Sequence, residues 1–394
     1  MLSQSLALQA PDHASLYPAV GLYVHFPFCA KKCSYCDFPS FAGQDDQMAA
    51  YLEALHREIE ASPRVPVRSL FLGGGTPSYI PGPWMSEVMA HLRRHFDFLP
   101  DAEVTMEANP GNERLHAGEA SVEWASYQAM GINRVSLGVQ SFDAAILKAL
   151  GRIHSPEEAI EAVAAVKAGG FTNMSIDLMY GLPNQTLAHW QETLERAVSL
   201  DLPHLSAYSL IVEPHTPFEA MHRRGELRLP SEDEEQAMAA LAREVLGAAG
   251  YQQYEISNWA KPGFESRHNQ VYWLLEPWIG LGSGAHSYYA RRRWGNPATI
   301  TGYLQGGPTP MPAEPQPIKE EIEEVMFMGL RMTREGVSEA RFKRRFGVGL
   351  GEVYGEEIAR LRTEGLLAWE DDRLVLTPRG LPLANEVFAS FLID

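Results

Sequence analysis

From residue 20 to about residue 215, short β-rich runs alternate with stretches whose apolar side chains recur at helical spacing. The runs at 22–26, 68–73, 103–108, 134–138, 173–178 and 205–210 read as strands. Those at 47–61, 84–96, 144–150, 157–168 and 187–199 read as amphipathic helices. Right-handed βαβ crossovers repeated in this order curl a parallel sheet toward a barrel. Six units rather than eight leave the barrel incomplete and open on one side, which admits a large substrate. The expected fold is therefore α/β, an incomplete (β/α)6 barrel of the TIM type.

The pattern changes after Pro230. The run Ser231-Glu232-Asp233-Glu234-Glu235 opens a helix, and an aromatic segment from 251 to 278 is expected to close the barrel. Proline and glycine between Gly306 and Pro312 mark a linker. Beyond it, helices at 319–332, 338–346 and 352–363 precede two short strands, 366–369 and 373–376, around Glu370-Asp371-Asp372. Three helices and a wing predict a small winged-helix-like domain. The expected division is an N-terminal extension (1–20), a partial barrel (21–230), a barrel-closing region (231–305), a linker (306–318) and the winged-helix-like domain (319–394).

Composition narrows the function. At 394 residues the chain exceeds the ~250–300 at which one core stops growing, so a second domain is expected. Thirty-three basic against fifty acidic side chains give a net charge of -17, a surface that repels nucleic acid and anionic membrane. The local run Arg341-Phe342-Lys343-Arg344-Arg345 alone favours nucleic acid, and a packing or partner-binding role for its domain fits the overall charge better. Residues 1–18 lack a cationic start before an apolar run, and no apolar stretch approaches ~18 residues, so a cytoplasmic protein without a membrane segment is expected. Three cysteines fall within eight residues. Pairing any two strands the third, and clustered reduced thiols in that compartment point to metal.

Those thiols, Cys29, Cys33 and Cys36, follow the first strand with C-x3-C-x2-C spacing. Three thiolates from one loop can hold three corners of a 4Fe-4S cube and leave one iron open. The amine and carboxylate of S-adenosylmethionine can chelate that iron, so that an electron reaching the sulfonium releases a deoxyadenosyl radical. Structural zinc is the competing reading, but it takes four ligands and the chain has no fourth cysteine. Gly73-Gly74-Gly75-Thr76-Pro77 ends the second strand, where bare backbone can approach a ligand. The same glycines would serve a tight turn. The cysteine loop upstream favours cofactor contact.

These motifs are joined by Glu107-Ala108-Asn109-Pro110, Arg134 to Phe142, Leu150-Gly151-Arg152 with His154, and Ile176 to Pro183. Over nearly its whole length the chain resembles the coproporphyrinogen III dehydrogenase-like family of radical S-adenosylmethionine (SAM) proteins. The resemblance implies SAM contacts from Tyr23, Tyr35, Gly74, Gly75, Thr76, Glu107, Gln140, Arg152 and Asp177. Their chemistry suits such contacts, since Glu107 and Asp177 accept from an ammonium or ribose hydroxyls, Gln140 does either, and Arg152 neutralises a carboxylate.

Two branches of that family differ in ways visible here. The dehydrogenase branch resembles C-x3-C-x2-C-x-C, whereas Phe38 stands two positions after Cys36, which puts oxidative decarboxylation in doubt. His268-Asn269-Gln270-Val271-Tyr272-Trp273 reads as H-N-x-x-Y-W and resembles the heme-binding element of the heme-chaperone branch. The resemblance therefore implies heme contacts from His268, Asn269, Tyr272 and Trp273. From the residues alone, a barrel plug with His268 as hydrogen-bonded support competes with an imidazole on heme iron. With all cysteines assigned to the cluster, histidine, methionine or tyrosine remains as axial ligand; His268 leads, ahead of His25 and His286. The implied protein is a heme chaperone holding a 4Fe-4S cluster and SAM, with heme, apo-hemoproteins and an electron donor as partners and no nucleic acid. Whether SAM is cleaved, and whether the chain forms a homodimer, stay open. The alternatives are oxygen-independent coproporphyrinogen III dehydrogenase and radical-driven opening of the heme ring.

Overall fold

The computed structural model describes residues 13–111 and 124–392; residues 1–12 of the expected N-terminal extension lie outside the described residues. Six parallel strands neighbour one another in chain order: β1 (Val20–Phe26), β2 (Pro66–Gly74), β3 (Asp97–Ala108), β4 (Arg134–Gln140), β5 (Met174–Tyr180) and β6 (His204–Ser209). Helices cover one face and the barrel interior the other, so the strands read as near-continuous apolar runs. Leu22, Val24 and Phe26 of β1 join Tyr51 and Leu55 of helix Met48–Ala61 and Val88 and Leu92 of helix Gly82–His95 in the main core. Ser155 and Thr186 close capping boxes at the starts of helices Pro156–Ala168 and Leu187–Ser199.

Five more strands extend the sheet: β7 (Gln252–Glu255), β8 (Asn258–Ala260), β9 (Trp278–Leu281), β10 (His286–Tyr289) and β11 (Arg292–Gly295). The full order is β11-β10-β9-β1-β2-β3-β4-β5-β6-β8-β7. β9 lies parallel to β1, with Gly21 opposite Trp278, while β8 pairs antiparallel with β6. β3 is twice the expected length because Asp97 and Phe98 pair with Pro66 and Val67 ahead of a bulge; Pro100 and Asp101 break the apolar pattern there. Helix Arg267–Trp273 was not legible, since seven residues inside an aromatic segment carry no measurable helical period.

Residues 307–317 form no helix or strand. The C-terminal domain has its own core, including Ile322, Met326, Phe342, Phe346, Leu361 and Leu374. Helices Ile318–Gly329, Glu339–Phe346 and Leu350–Thr363 are followed by the wing, β13 (Leu367–Glu370) and β14 (Arg373–Leu376), with Asp371 at φ 53° in the turn. A third, unexpected wing strand, β12 (Val337–Ser338), pairs with β14. Fully buried Glu321 fastens this domain to the barrel, accepting from Arg345 at 2.8 Å and from Arg291 at 2.7 Å. Among the described residues no helix is long and apolar enough to cross a membrane.

Candidate functional site

The cysteine loop sits at the carboxyl end of the barrel. A two-residue ladder, Phe28–Cys29 with Phe41–Ala42, folds it back on itself. Ser34 pins its middle, donating its N–H to the Leu150 carbonyl at 3.0 Å and accepting from the Phe218 N–H at 3.0 Å. All three thiols are free, Cys29 buried and Cys33 and Cys36 half-buried. Burial pushes the Cys29 thiol up to about 11 and raises Cys36 as well, so thiolate ligation depends on a positive partner such as iron.

Polar groups converge on the sulfurs. The Thr76 hydroxyl lies 3.6 Å from Cys29 Sγ, the Ser40 hydroxyl 3.7 Å from Cys36 Sγ, and Arg152 Nη1 donates to Cys33 Sγ at 3.4 Å. Arg152 also donates to the Gly138 carbonyl and to Asn109 Oδ1, and Asn109 passes the connection on to Thr76 Oγ1 at 2.8 Å. Burial opposes the Arg152 charge, but Tyr35 and Cys33 beside it hold it protonated. Its Nε is buried without a partner among the described residues. Gly74, at φ 109°, donates its N–H to Glu107 Oε2 at 3.1 Å, and a Cβ on Gly75 would stand 2.6 Å from the Phe28 carbonyl oxygen. Donors aimed at sulfur, a buried guanidinium with an unpartnered Nε and a glycine cradle fit a cluster with chelated SAM.

Deeper in the barrel are the carboxylates. Burial, reinforced by Asp177, pushes Glu107 up to about 8. Burial also raises Asp177, which accepts from the Ser136 hydroxyl at 3.1 Å. Gln140, at φ 68°, follows a bulge that places it beside Gly138. Tyr23 Oη engages His25 Nδ1 at 3.0 Å, and its ring stacks on Phe71. Tyr35 packs near Phe218, with ring centroids 6.5 Å apart. Of the expected SAM residues, Thr76 and Arg152 thus reach the cysteine sulfurs, Gly74 reaches Glu107, and Gln140 and Arg152 both lie beside Gly138. Asn109 and Ser34 are the participants that sequence reasoning passed over; Asn109 stands inside the quoted Glu107 to Pro110 motif.

The H-N-x-x-Y-W segment lies elsewhere, as helix Arg267–Trp273 across the amino-terminal floor of the barrel. Glu103 of β3 accepts from the N–H groups of Arg267 and His268 at 3.0 and 2.9 Å, which satisfies and charge-complements the helix start. His268 is fully buried, with Nδ1 on the Ser69 hydroxyl at 2.9 Å and Nε2 on the Tyr272 hydroxyl at 2.8 Å, and it stacks on Phe71. Asn269, Tyr272 and Trp273 are half-buried. His25 also has both ring nitrogens engaged, the second on the Pro39 carbonyl at 2.8 Å, whereas His286 is exposed on β10.

Burial, then Arg68 and Arg134, push His268 down to about 3 from 6.5. Above pH 6.5 the folded and unfolded states both carry neutral imidazole, and stability is complete. As pH falls from 6.5 toward 3, the unfolded chain takes up a proton that the folded chain refuses, and stability declines by about 1.4 kcal/mol per unit. Urea unfolding at pH 5 rather than 7 is therefore expected to show a loss of about 2 kcal/mol from this residue, which His268→Gln removes.

A parallel-stranded partial barrel with three thiols at its carboxyl end defines a radical SAM fold. The Radical SAM superfamily model matches residues 23–197, and the HemN C-terminal domain model matches 317–383. Heme chaperone HemW of Lactococcus lactis is 38% identical over 389 residues, covering 98% of this chain and 99% of that protein. HemW of Escherichia coli is 42% identical over 274 residues, 68% of this chain and 70% of that protein. Among solved structures, coproporphyrinogen III oxidase (HemN) of Escherichia coli superposes with a TM-score of 0.80 at 25% identity, covering 95% of this chain and 91% of that one. The chain belongs to the radical SAM superfamily and, within it, to the family of the heme chaperone HemW.

Proposed function

We propose that the protein is a cytoplasmic heme chaperone, which holds a 4Fe-4S cluster on Cys29, Cys33 and Cys36 together with SAM, binds heme and passes it to apo-hemoproteins. When bound, the cluster supplies one-electron chemistry, fed by a separate donor. The chain's own groups do the positioning. Arg152 and Thr76 place donors on the sulfurs, and the Gly74 and Gly75 backbone leaves room for the SAM methionine. Glu107, Asp177 and Gln140 receive its ammonium and ribose. At the floor, the His268 imidazole is held neutral, the form that would ligate iron, with the Tyr272 hydroxyl now on its Nε2.

The observation that carries this reading is the H-N-x-x-Y-W helix in a chain whose relatives of near-equal length are named heme chaperones. A second reading, coproporphyrinogen oxidation, has the HemN likeness in its favour and Phe38 against it; this ring is 60% exposed where the dehydrogenase branch has cysteine. The test is anaerobic reconstitution followed by heme titration of wild type and His268→Ala, read at the Soret band, then mixing with an apo-hemoprotein. One heme per chain, weakened in the variant and transferred to the acceptor, is the expected result. Absence of saturable binding with consumption of coproporphyrinogen would replace the chaperone by the enzyme.

A further inference from the structure

Ser40 is fully buried just beyond the cysteine loop, with its hydroxyl 3.7 Å from Cys36 Sγ. It is a hydrogen-bond partner of the Cys29 thiol as well. Among the described residues that hydroxyl meets no oxygen or nitrogen partner. A hydroxyl shut away from water is costly unless its proton goes to an acceptor, and the acceptors within reach are sulfurs. A thiolate on iron carries no proton, so in the loaded site the hydroxyl is the donor.

The arm that carries Ser40 is held from several sides. The Ser40 N–H donates to the Phe38 carbonyl at 2.6 Å, which closes a three-residue turn. His25 Nε2 donates to the Pro39 carbonyl at 2.8 Å, and the Phe41 N–H donates to the Pro27 carbonyl at 2.7 Å. A Cβ on Gly284, at φ 70°, would stand 2.6 Å from Pro39 Cγ, so the loop after β9 presses on the same arm. Ser40 thus completes a set in which each thiol has its own donor, Thr76 at Cys29, Arg152 at Cys33 and Ser40 at Cys36. The other two have further duties. Thr76 Oγ1 also accepts from Asn109, and Arg152 is shared among Cys33, Gly138 and Asn109. Ser40 serves sulfur alone.

We propose that Ser40 tunes the bound cluster, its hydroxyl donating to the Cys36 thiolate and holding the reduction potential above the value that Thr76 and Arg152 alone would give. The proposal rests on the reading of the three thiols as cluster ligands. Reduction adds negative charge that the sulfurs share, so a donor on sulfur favours the reduced state. An electron held more firmly by the cluster is less readily passed to a bound sulfonium.

The test is an anaerobic redox titration of the reconstituted full chain, read by electron paramagnetic resonance, with iron content determined for each protein. Wild type is compared with Ser40→Ala, Ser40→Thr and Ser175→Ala. Ser175 is equally buried, but its hydroxyl serves His204 Nδ1 at 2.8 Å near the amino end of β5, so its loss reports the general effect of emptying a buried hydroxyl site. In Ser40→Ala the ratio of reduced to oxidised cluster at a fixed applied potential is expected to fall about tenfold, a midpoint lower by about 59 mV for one electron. Ser40→Thr, which keeps the hydroxyl, and Ser175→Ala should both match wild type. Equal potentials in Ser40→Ala and wild type, with full iron on each, overturn the tuning role and leave the cluster reading intact. Loss of the cluster from Ser40→Ala while Ser40→Thr keeps it at the wild-type potential supports the hydroxyl's role; loss from both makes the residue structural and overturns the proposal. A wild-type chain that assembles no cluster overturns both readings.

Discussion

Glu321→Gln is expected to lower the free energy of unfolding by about 3–5 kcal/mol, the scale on which a buried ion network fails when one partner is removed. Glu321 is fully buried on helix Ile318–Gly329 and receives both Arg345 and Arg291, which are themselves almost without solvent. Gln keeps the shape but removes the charge, leaving two guanidiniums in a low-dielectric site. Although burial opposes it, the His13 hydrogen bond and the Arg345 charge hold Glu321 down to about 2, below its ordinary 4.5. Its contribution is therefore complete above pH 4.5 and is lost as pH falls through the interval down to 2. Denaturant unfolding at pH 7 should show the full gap between variant and wild type, and at pH 3 the gap should narrow by about 2 kcal/mol. An unchanged midpoint at pH 7 would mean that the two domains are joined by other contacts. The same network fixes helix Glu339–Phe346 against the floor, because Arg345 also donates to the Leu275 carbonyl at 3.0 Å.

What the sequence disclosed and what it hid divide along a physical line. The six parallel strands were legible because each is buried on both faces and reads as a local apolar run, as in Val20–Phe26. The cysteine loop was legible because its ligands are adjacent in sequence. Motifs then gathered Gly74, Glu107, Gln140, Arg152 and Asp177, and the parallel fold explains why residues at or after strand ends from distant segments meet at one end of the barrel. The floor was hidden because its geometry is set by remote partners. Helix Arg267–Trp273 takes its start from Glu103, 164 residues earlier, and the Arg68 bulge exists only in the pairing of β2 with both neighbours. Glu321 looks like any member of the acidic run around it, and Arg345 like a solvated member of a basic one. Only packing shows that these two are buried together while Arg341 and Arg344 are not. The sequence could place the H-N-x-x-Y-W segment and the cysteine motif in one chain; their location at opposite ends of the barrel had to come from the structure.

Gly75→Ala tests the cluster end. The added methyl would meet backbone on three sides, with the Phe28 carbonyl oxygen at 2.6 Å, the Phe26 carbonyl oxygen at 2.8 Å and the Phe28 nitrogen at 2.9 Å. No side chain there can swing aside, so the 26–28 segment must move, and Cys29 is its next residue. Overpacking of this kind costs about 1–3 kcal/mol, which the core of this barrel can bear. Position is the more sensitive quantity, since a displacement of about 1 Å can cost about a hundredfold where several groups must act together. The variant is therefore expected to fold with a lowered melting temperature while its affinity for SAM, measured on the anaerobically reconstituted protein, falls by one to two orders of magnitude. Gly247→Ala is the control. Its methyl enters open space on helix Glu232–Ala248, so it should leave SAM binding alone and raise stability by about 0.5–1 kcal/mol. Equal SAM affinity in Gly75→Ala and wild type would show that the strand end yields without carrying Cys29. The close approach of β2 to the 26–28 segment would then be a packing requirement of the barrel rather than the device that sets the cysteine loop.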